Sequence, residues 1–91
     1  VKLEWSPFAQ ADRDDIFDYI ADDNPRAAVR IDRLIEEAID RLFDFPELGR
    51  IGRVEDTREL VIVRTPFVAI YPANEKTILI LRLLHGAQRW P

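Results

Sequence analysis

Two prolines divide the first half of this 91-residue chain. Pro7 and Pro25 each follow a side chain that can cap a helix, Ser6 and Asn24. Proline loses nothing at the first helical position, because its missing N–H would have had no partner there. The serine or asparagine oxygen before it accepts from the first free N–H groups. The spacing predicts a first helix from Pro7 to about Ala21, with Ala9, Ile16, Tyr19 and Ile20 as an apolar stripe. Asp12, Asp14, Asp15 and Asp18 form its acidic side. A second helix is expected from Pro25 to about Phe43, where Ala28, Ile31, Ile35, Ala38 and Leu42 recur at three- and four-residue intervals. So tight a connection makes the pair an antiparallel hairpin.

The remainder has the two-residue period of strands. Lys2–Trp5 is a short first strand. Pro46 stops the second helix, Gly49 permits a turn, and residues 50–56 read as a polar loop. Strands are expected over Thr57–Val63, Phe67–Tyr71 and Thr77–Leu84, with a hairpin loop at Pro72–Lys76 and a tail from His85. The last strand is apolar on both faces apart from Arg82, the pattern of a central strand covered on both sides. The order β-α-α-β-β-β predicts an α+β fold, one domain over residues 1–91, with a helical hairpin packed on a small, twisted, mostly antiparallel sheet.

Composition narrows the function. Residues 1–45 carry twelve acids and six bases; residues 46–91 carry five acids and seven bases, so the net of −6 and +2 gives −4 overall. An acidic chain is a poor general nucleic-acid binder, because phosphate neutralisation supplies most non-specific affinity. Any anion-binding surface is expected on the second half. The absence of cysteine removes disulfides, thiol nucleophiles and cysteine metal sites. The acids lie scattered on helix exteriors, so no metal and no cofactor is expected. The first residues lack the apolar stretch of a signal peptide, and no run is long enough to cross a bilayer, which predicts a cytoplasmic protein without membrane contact. The missing initiator methionine predicts a trimmed or altered amino terminus.

Three residues could carry chemistry. Arg64 ends a strand, Arg82 lies on an apolar strand, and His85, the chain's one histidine and so its natural acid–base side chain, follows three residues later. Metal-free RNA cleavage needs a base, an acid and cations for the phosphorane, and these three are its candidates. Each also has a structural reading. Arg82 can pair with a carboxylate such as Glu59, since buried charges are usually paired. His85 can hydrogen-bond backbone at a strand end. Arg58 and Arg64 can be edge-strand charges that discourage sheet pairing. Trp90 can plug the core edge or anchor a partner. The aspartates of the first helix read as a solvated face, without the glycine loop of a calcium site.

Several local sequences resemble one family along nearly the whole chain. Trp5-Ser6-Pro7 leads into the first helix and Pro46-Glu47-Leu48-Gly49-Arg50 follows the second. Arg58-Glu59-Leu60 opens the second strand, Tyr71 closes the third, and Arg82-Leu83-Leu84-His85-Gly86 ends the last. In this order they resemble the RelE/ParE toxin superfamily, and the acidic balance with only two lysines, Lys2 and Lys76, favours its ParE-like branch. That resemblance implies a type II toxin that poisons DNA gyrase and forms a hetero-oligomer with a cognate antitoxin, ParD-like or of another type II class. The RelE-like alternative implies a ribosome-dependent mRNA endoribonuclease using Arg64, Arg82 and His85. A detoxified interaction module is a third reading. Antitoxin contacts are expected at Ile16, Tyr19, Ile20, Ile31, Ile35, Arg58 and Arg64, and target contacts at Arg82, His85, Arg89 and Trp90. Arg50, Arg53, Arg58, Arg64 and Arg89 would attract an acidic antitoxin tail.

Overall fold

A computed structural model of the chain describes residues 2–73, 76–88 and 90. Strand β1 (Lys2–Trp5) leads into α1 (Pro7–Asp23) and α2 (Pro25–Asp40), and a 3-10 turn follows at Arg41–Phe43. Five strands follow where three were expected: a two-residue β2 (Arg50–Ile51), β3 (Thr57–Val61), β4 (Phe67–Pro72), β5 (Thr77–Ile80) and β6 (Arg82–His85). Both helix starts form as their side chains dictate. Ser6 Oγ accepts from the Ala9 N–H at 3.0 Å, and Asn24 Oδ1 accepts from the Ala27 N–H at 3.1 Å.

The sheet departs from expectation at three places. Residues 50 and 51, expected in a loop, pair antiparallel with Glu59 and Arg58. The strand expected to reach Val63 ends at Val61, because residues 62–65 turn and the Thr65 N–H donates to the Ile62 carbonyl at 3.2 Å. The long last strand is two strands. β5 runs parallel to β1, whereas β6 runs antiparallel to β4, in a sheet ordered β2-β3-β4-β6. At the break Ile70 is in register with Arg82, yet its carbonyl accepts from the Leu81 N–H at 2.7 Å. Two residues thus face one, which is a β-bulge. The extra residue shifts parity, so Ile78, Ile80 and Leu83 all enter the same core despite the step of three between the last two. That shift explains why the segment looked apolar on both faces.

The helices cover one side of the sheet. Ala9 of α1 and Ile35, Ile39 and Leu42 of the second helical segment pack with Leu60, Ile62, Ala69, Tyr71, Ile78, Ile80 and Leu83. Arg13 ties three elements together. Its guanidinium makes a two-pronged contact with Asp32 of α2 at 2.7 and 2.9 Å and lies 4.9 Å from the centre of the Trp5 ring of β1. No helix among the described residues is long and apolar enough to cross a membrane.

The Pro46–Gly49 segment is held from beneath. The Tyr71 hydroxyl donates to the Pro46 carbonyl at 2.9 Å and accepts from the Gly49 N–H at 2.8 Å. Arg58 Nη1 donates to the Gly49 carbonyl at 2.8 Å. A Cβ on Gly49 would sit 2.6 Å from the Tyr71 oxygen, so the close approach requires glycine. Tyr71→Phe keeps the ring and leaves two backbone groups unpaired. It is expected to lower unfolding stability by about 1–3 kcal/mol in urea titration; an unchanged midpoint would show that water replaces the hydroxyl.

Candidate protein-binding site

The residues expected to carry chemistry are mostly occupied. Arg82 pairs not with Glu59 but with Asp12 of α1, through Nε at 2.7 Å and Nη2 at 2.9 Å, and Asp12 also accepts from the Leu83 N–H at 3.0 Å. This partner is seventy residues away, so only the fold brings it in; the solvated aspartate face therefore loses one member to structure. The hydrogen bond that Arg82 donates to Asp12 raises the Arg82 pKa against the opposing effect of burial. Glu59, 1% exposed, accepts instead from Arg50 Nη2 at 3.0 Å and from the Arg53 backbone N–H at 2.9 Å and Nε at 3.3 Å. Burial pushes its carboxyl upward, but the Arg53 and Arg50 hydrogen bonds outweigh burial and hold it below the ordinary glutamate range.

His85 and Arg64 remain at one end of the sheet. His85 is in register with Phe67, and Arg64 lies in the turn just before that strand. His85 is exposed, but its Nδ1 accepts from the Ala87 N–H at 3.1 Å, which gives it a turn-closing role and leaves Nε2 to solvent. Arg64 is exposed with φ 64°, a left-handed conformation that arginine adopts only at a cost. Arg82 is three residues along the strand from His85, about 10 Å at ~3.3 Å per residue. With its guanidinium held by Asp12, it does not join them in a shared centre. No group of three or more His, Asp or Glu side chains that could hold a metal ion occurs among the described residues.

A different feature emerges beside His85. Ile16, Tyr19 and Ile20 of α1 meet Phe67 and His85 in an almost wholly apolar hollow of about 360 Å³, with Asp15 at its rim. Phe67 and His85 stand edge to face with ring centres 6.1 Å apart. Tyr19 is 83% exposed, so the apolar stripe of α1 is in part outward-facing, and only Ala9 of the helix is fully buried. Tyr19 and Ile20 also border a second hollow lined by Asp22, Asp23, Asn24 and Ala27. An exposed tyrosine between an apolar and an acidic depression is an anchor arrangement for a partner chain.

The other expected contacts fare unevenly. Ile35 is 1% exposed and belongs to the core beneath the hairpin, and Ile31 is half-buried against that core. Arg58 clamps the Pro46–Gly49 segment rather than presenting an edge charge. Trp90 is half-buried, with its indole N–H enclosed. Arg89 lies outside the described residues. Sequence reading missed Phe67, whose role depends on β4 ending beside α1. It also missed exposed Ile51, read into a polar loop, and exposed Val61 and Val63, which alternation had assigned to one face of an ordinary strand.

Residues 3–90 match the family model for the ParE toxin of the type II toxin–antitoxin system parDE. The chain is 37% identical over 90 residues to a protein described as putative toxin Y4kP of Sinorhizobium fredii, covering 99% of this chain and 93% of that one. It is 37% identical over 87 residues to toxin RelE2 of Caulobacter vibrioides, covering 96% and 97%. A solved structure described as the chromosomal ParDE TA system from P. aeruginosa superposes with a TM-score of 0.85 at 31% identity, over 93% of this chain and 95% of that chain.

Two substitutions separate structure from surface. Arg82→Ala and Asp12→Ala are each expected to destabilise, with a double-mutant coupling of about 1–2 kcal/mol, moderated because the arginine is partly exposed; a coupling near zero would mean the pair is not structural. Arg64→Gly is expected to raise stability by about 1 kcal/mol by relieving the left-handed turn. A lowered melting temperature would show that the side chain itself holds the turn.

Proposed function

The chain belongs to the ParE toxin family of type II toxin–antitoxin systems, and from that premise we propose that it arrests growth by poisoning DNA gyrase in the bacterial cytoplasm and is silenced by a cognate antitoxin seated on α1. The observation that carries the antitoxin half is the uncovered hollow of Ile16, Tyr19, Ile20, Phe67 and His85. It suits an amphipathic segment that places an aliphatic or aromatic side chain beside Tyr19. Asp15, Asp22 and Asp23 around it favour bases on that segment's flanks. The antitoxin is ParD-like or of another type II class, and the working unit is the hetero-oligomer.

The target half rests on charge and geometry. A net charge of −4 is poorly suited to the ribosome's RNA surface. In-line attack by a 2′-hydroxyl needs its acid, base and cations within reach of one phosphate. Here the Arg82 fork is filled by Asp12 and the His85 Nδ1 by Ala87. Binding to a protein target asks only for an exposed, shaped surface, and His85 and Arg64 at the sheet end contribute to one. The endoribonuclease reading draws on the name of the RelE2 relative and on those same two residues, whose exposure leaves them reachable by RNA.

Controlled expression in a bacterial host, with DNA integrity and mRNA followed through the first minutes of arrest, separates the two. Gyrase poisoning is expected to give DNA breaks with intact mRNA. Codon-spaced mRNA cuts with intact DNA would overturn it and promote Arg64 and His85 to catalytic candidates. Tyr19→Asp is expected to weaken antitoxin binding by at least tenfold without changing the melting temperature, and unchanged affinity would remove the α1 face from the interface.

A further inference from the structure

We propose that Arg26, Arg30 and Arg33 on the outer face of α2 hold the phosphate backbone of the duplex DNA that the target carries. The inference rests on the gyrase reading above and concerns a face that belongs neither to the α1 hollow nor to the sheet end. All three side chains are exposed, and none enters an ion pair among the described residues. At ~3.6 residues per turn they fall within about 60° of one another, opposite the buried Ala28, Ile35 and Ile39.

The stripe works against its own helix. Arg26 stands in the first turn of α2, where there is no acid, and Glu37 and Asp40 stand in the last, where there is no base. The helix dipole is positive at its start and negative at its end, so this order is the unfavourable one. Nearby acids do not relieve it. Glu36 and Glu37 follow Arg33 closely, and Asp22 and Asp23 precede Arg26 in the hairpin turn, yet none of the four enters an ion pair among the described residues. A row of phosphates reverses the balance. It neutralises the repulsion among the arginines and lies at the positive end of the helix.

The face suits phosphate better than a protein surface. Val29 is the one large apolar side chain exposed on α2, whereas a protein contact needs an apolar centre. Arginine forks match pairs of phosphate oxygens. Arg26 to Arg33 spans about 10.5 Å at ~1.5 Å per residue, close to three phosphates of one strand at ~3.4 Å of rise each.

Position selects the target's DNA. Ala27 borders a hollow with Tyr19 and Ile20, and those two border the next with Phe67 and His85. The stripe therefore begins at the end of the molecule that carries His85 and Arg64, the groups proposed above for the target surface. Three arginines on a chain of net charge −4 hold DNA weakly by themselves. Tethered to a protein that grips a duplex, they meet it at a high local concentration.

The test uses the full chain, purified DNA gyrase and supercoiled plasmid. Arg26→Gln, Arg30→Gln and Arg33→Gln are combined, because glutamine is as good a helix former as arginine. The combined variant is expected to melt at or above the wild-type temperature and to bind gyrase without DNA as the wild type does. It is expected to need at least tenfold more protein for half-maximal DNA cleavage. The log–log dependence of that concentration on salt becomes shallower by about 2–3, since each phosphate contact contributes roughly 0.9. Arg26→Lys, Arg30→Lys and Arg33→Lys together are expected to restore the slope, because the charge returns. Equal cleavage at equal protein and an equal slope would overturn the proposal. So would weakened binding to gyrase alone, which would make the stripe a protein contact. Unchanged cleavage with weakened binding of the toxin–antitoxin complex to its operator would move the arginines to that DNA and overturn it too. Wild-type protein that yields no cleavage with gyrase would remove the gyrase reading and this inference together.

Discussion

The fold turns on the point where the chain passes between two strand partners, at Leu81. The bulge there leaves backbone groups that no strand can satisfy, and α1 satisfies them. Ser6 Oγ donates to the Leu81 carbonyl at 2.8 Å while capping the helix, and the Ser6 N–H donates to the Ile80 carbonyl at 2.9 Å. Two turns further on, Asp12 accepts from the Leu83 N–H and grips Arg82. The first helix is thereby fastened at both ends of the bulge. A buried N–H or carbonyl without a partner is costly, so the helix cannot slide along the sheet without exposing several at once. The α1 hollow inherits that rigidity, since Ile16, Tyr19 and Ile20 lie on the same helix that the bulge positions.

The same economy explains the short sequences that carried the family resemblance. Trp5-Ser6-Pro7 begins the helix and closes the bulge. Pro46 to Gly49 is the segment that Tyr71 and Arg58 hold, Glu59 gathers Arg50 and Arg53, and Arg82 to Gly86 supplies the Asp12 pair and the turn that ends β6. These motifs specify the scaffold. The residues that face outward, Tyr19, Val61 and Val63, lie between them, where the fold places no packing requirement on the side chain.

Element order and both helix starts were legible because their determinants are local: a cap, a proline, a period. The β2 pairing was not, because Arg50 and Ile51 form a strand only through Glu59, nine residues away in the chain and held by two arginines. The break at Leu81 was hidden for a related reason. A one-residue parity shift inside an apolar run looks like a strand buried on both faces, and only the Ile70 register reveals it. Arg82 was legible as a paired charge, but its partner was assigned along the sheet when the nearer carboxylate lay on the helix. The α1 stripe was legible as a face but not in its exposure. Apolar spacing identifies a face, but how much of it the sheet covers depends on where the strands end, and Tyr19 lies beyond them at 83% exposed.

That dependence bears on stability as well as recognition. A 91-residue domain buries a modest fraction of its surface, and this one leaves Tyr19, Ile51, Val61 and Val63 exposed rather than adding them to its core. The apolar area withheld from the core is area available to a partner. The two uncovered places differ in charge: acids rim the α1 hollow, whereas arginines rim the β3 edge. The uneven charge along the sequence, acidic in the helices and basic in the sheet, thus appears on the surface as two places of opposite sign, a contrast that net charge alone conceals.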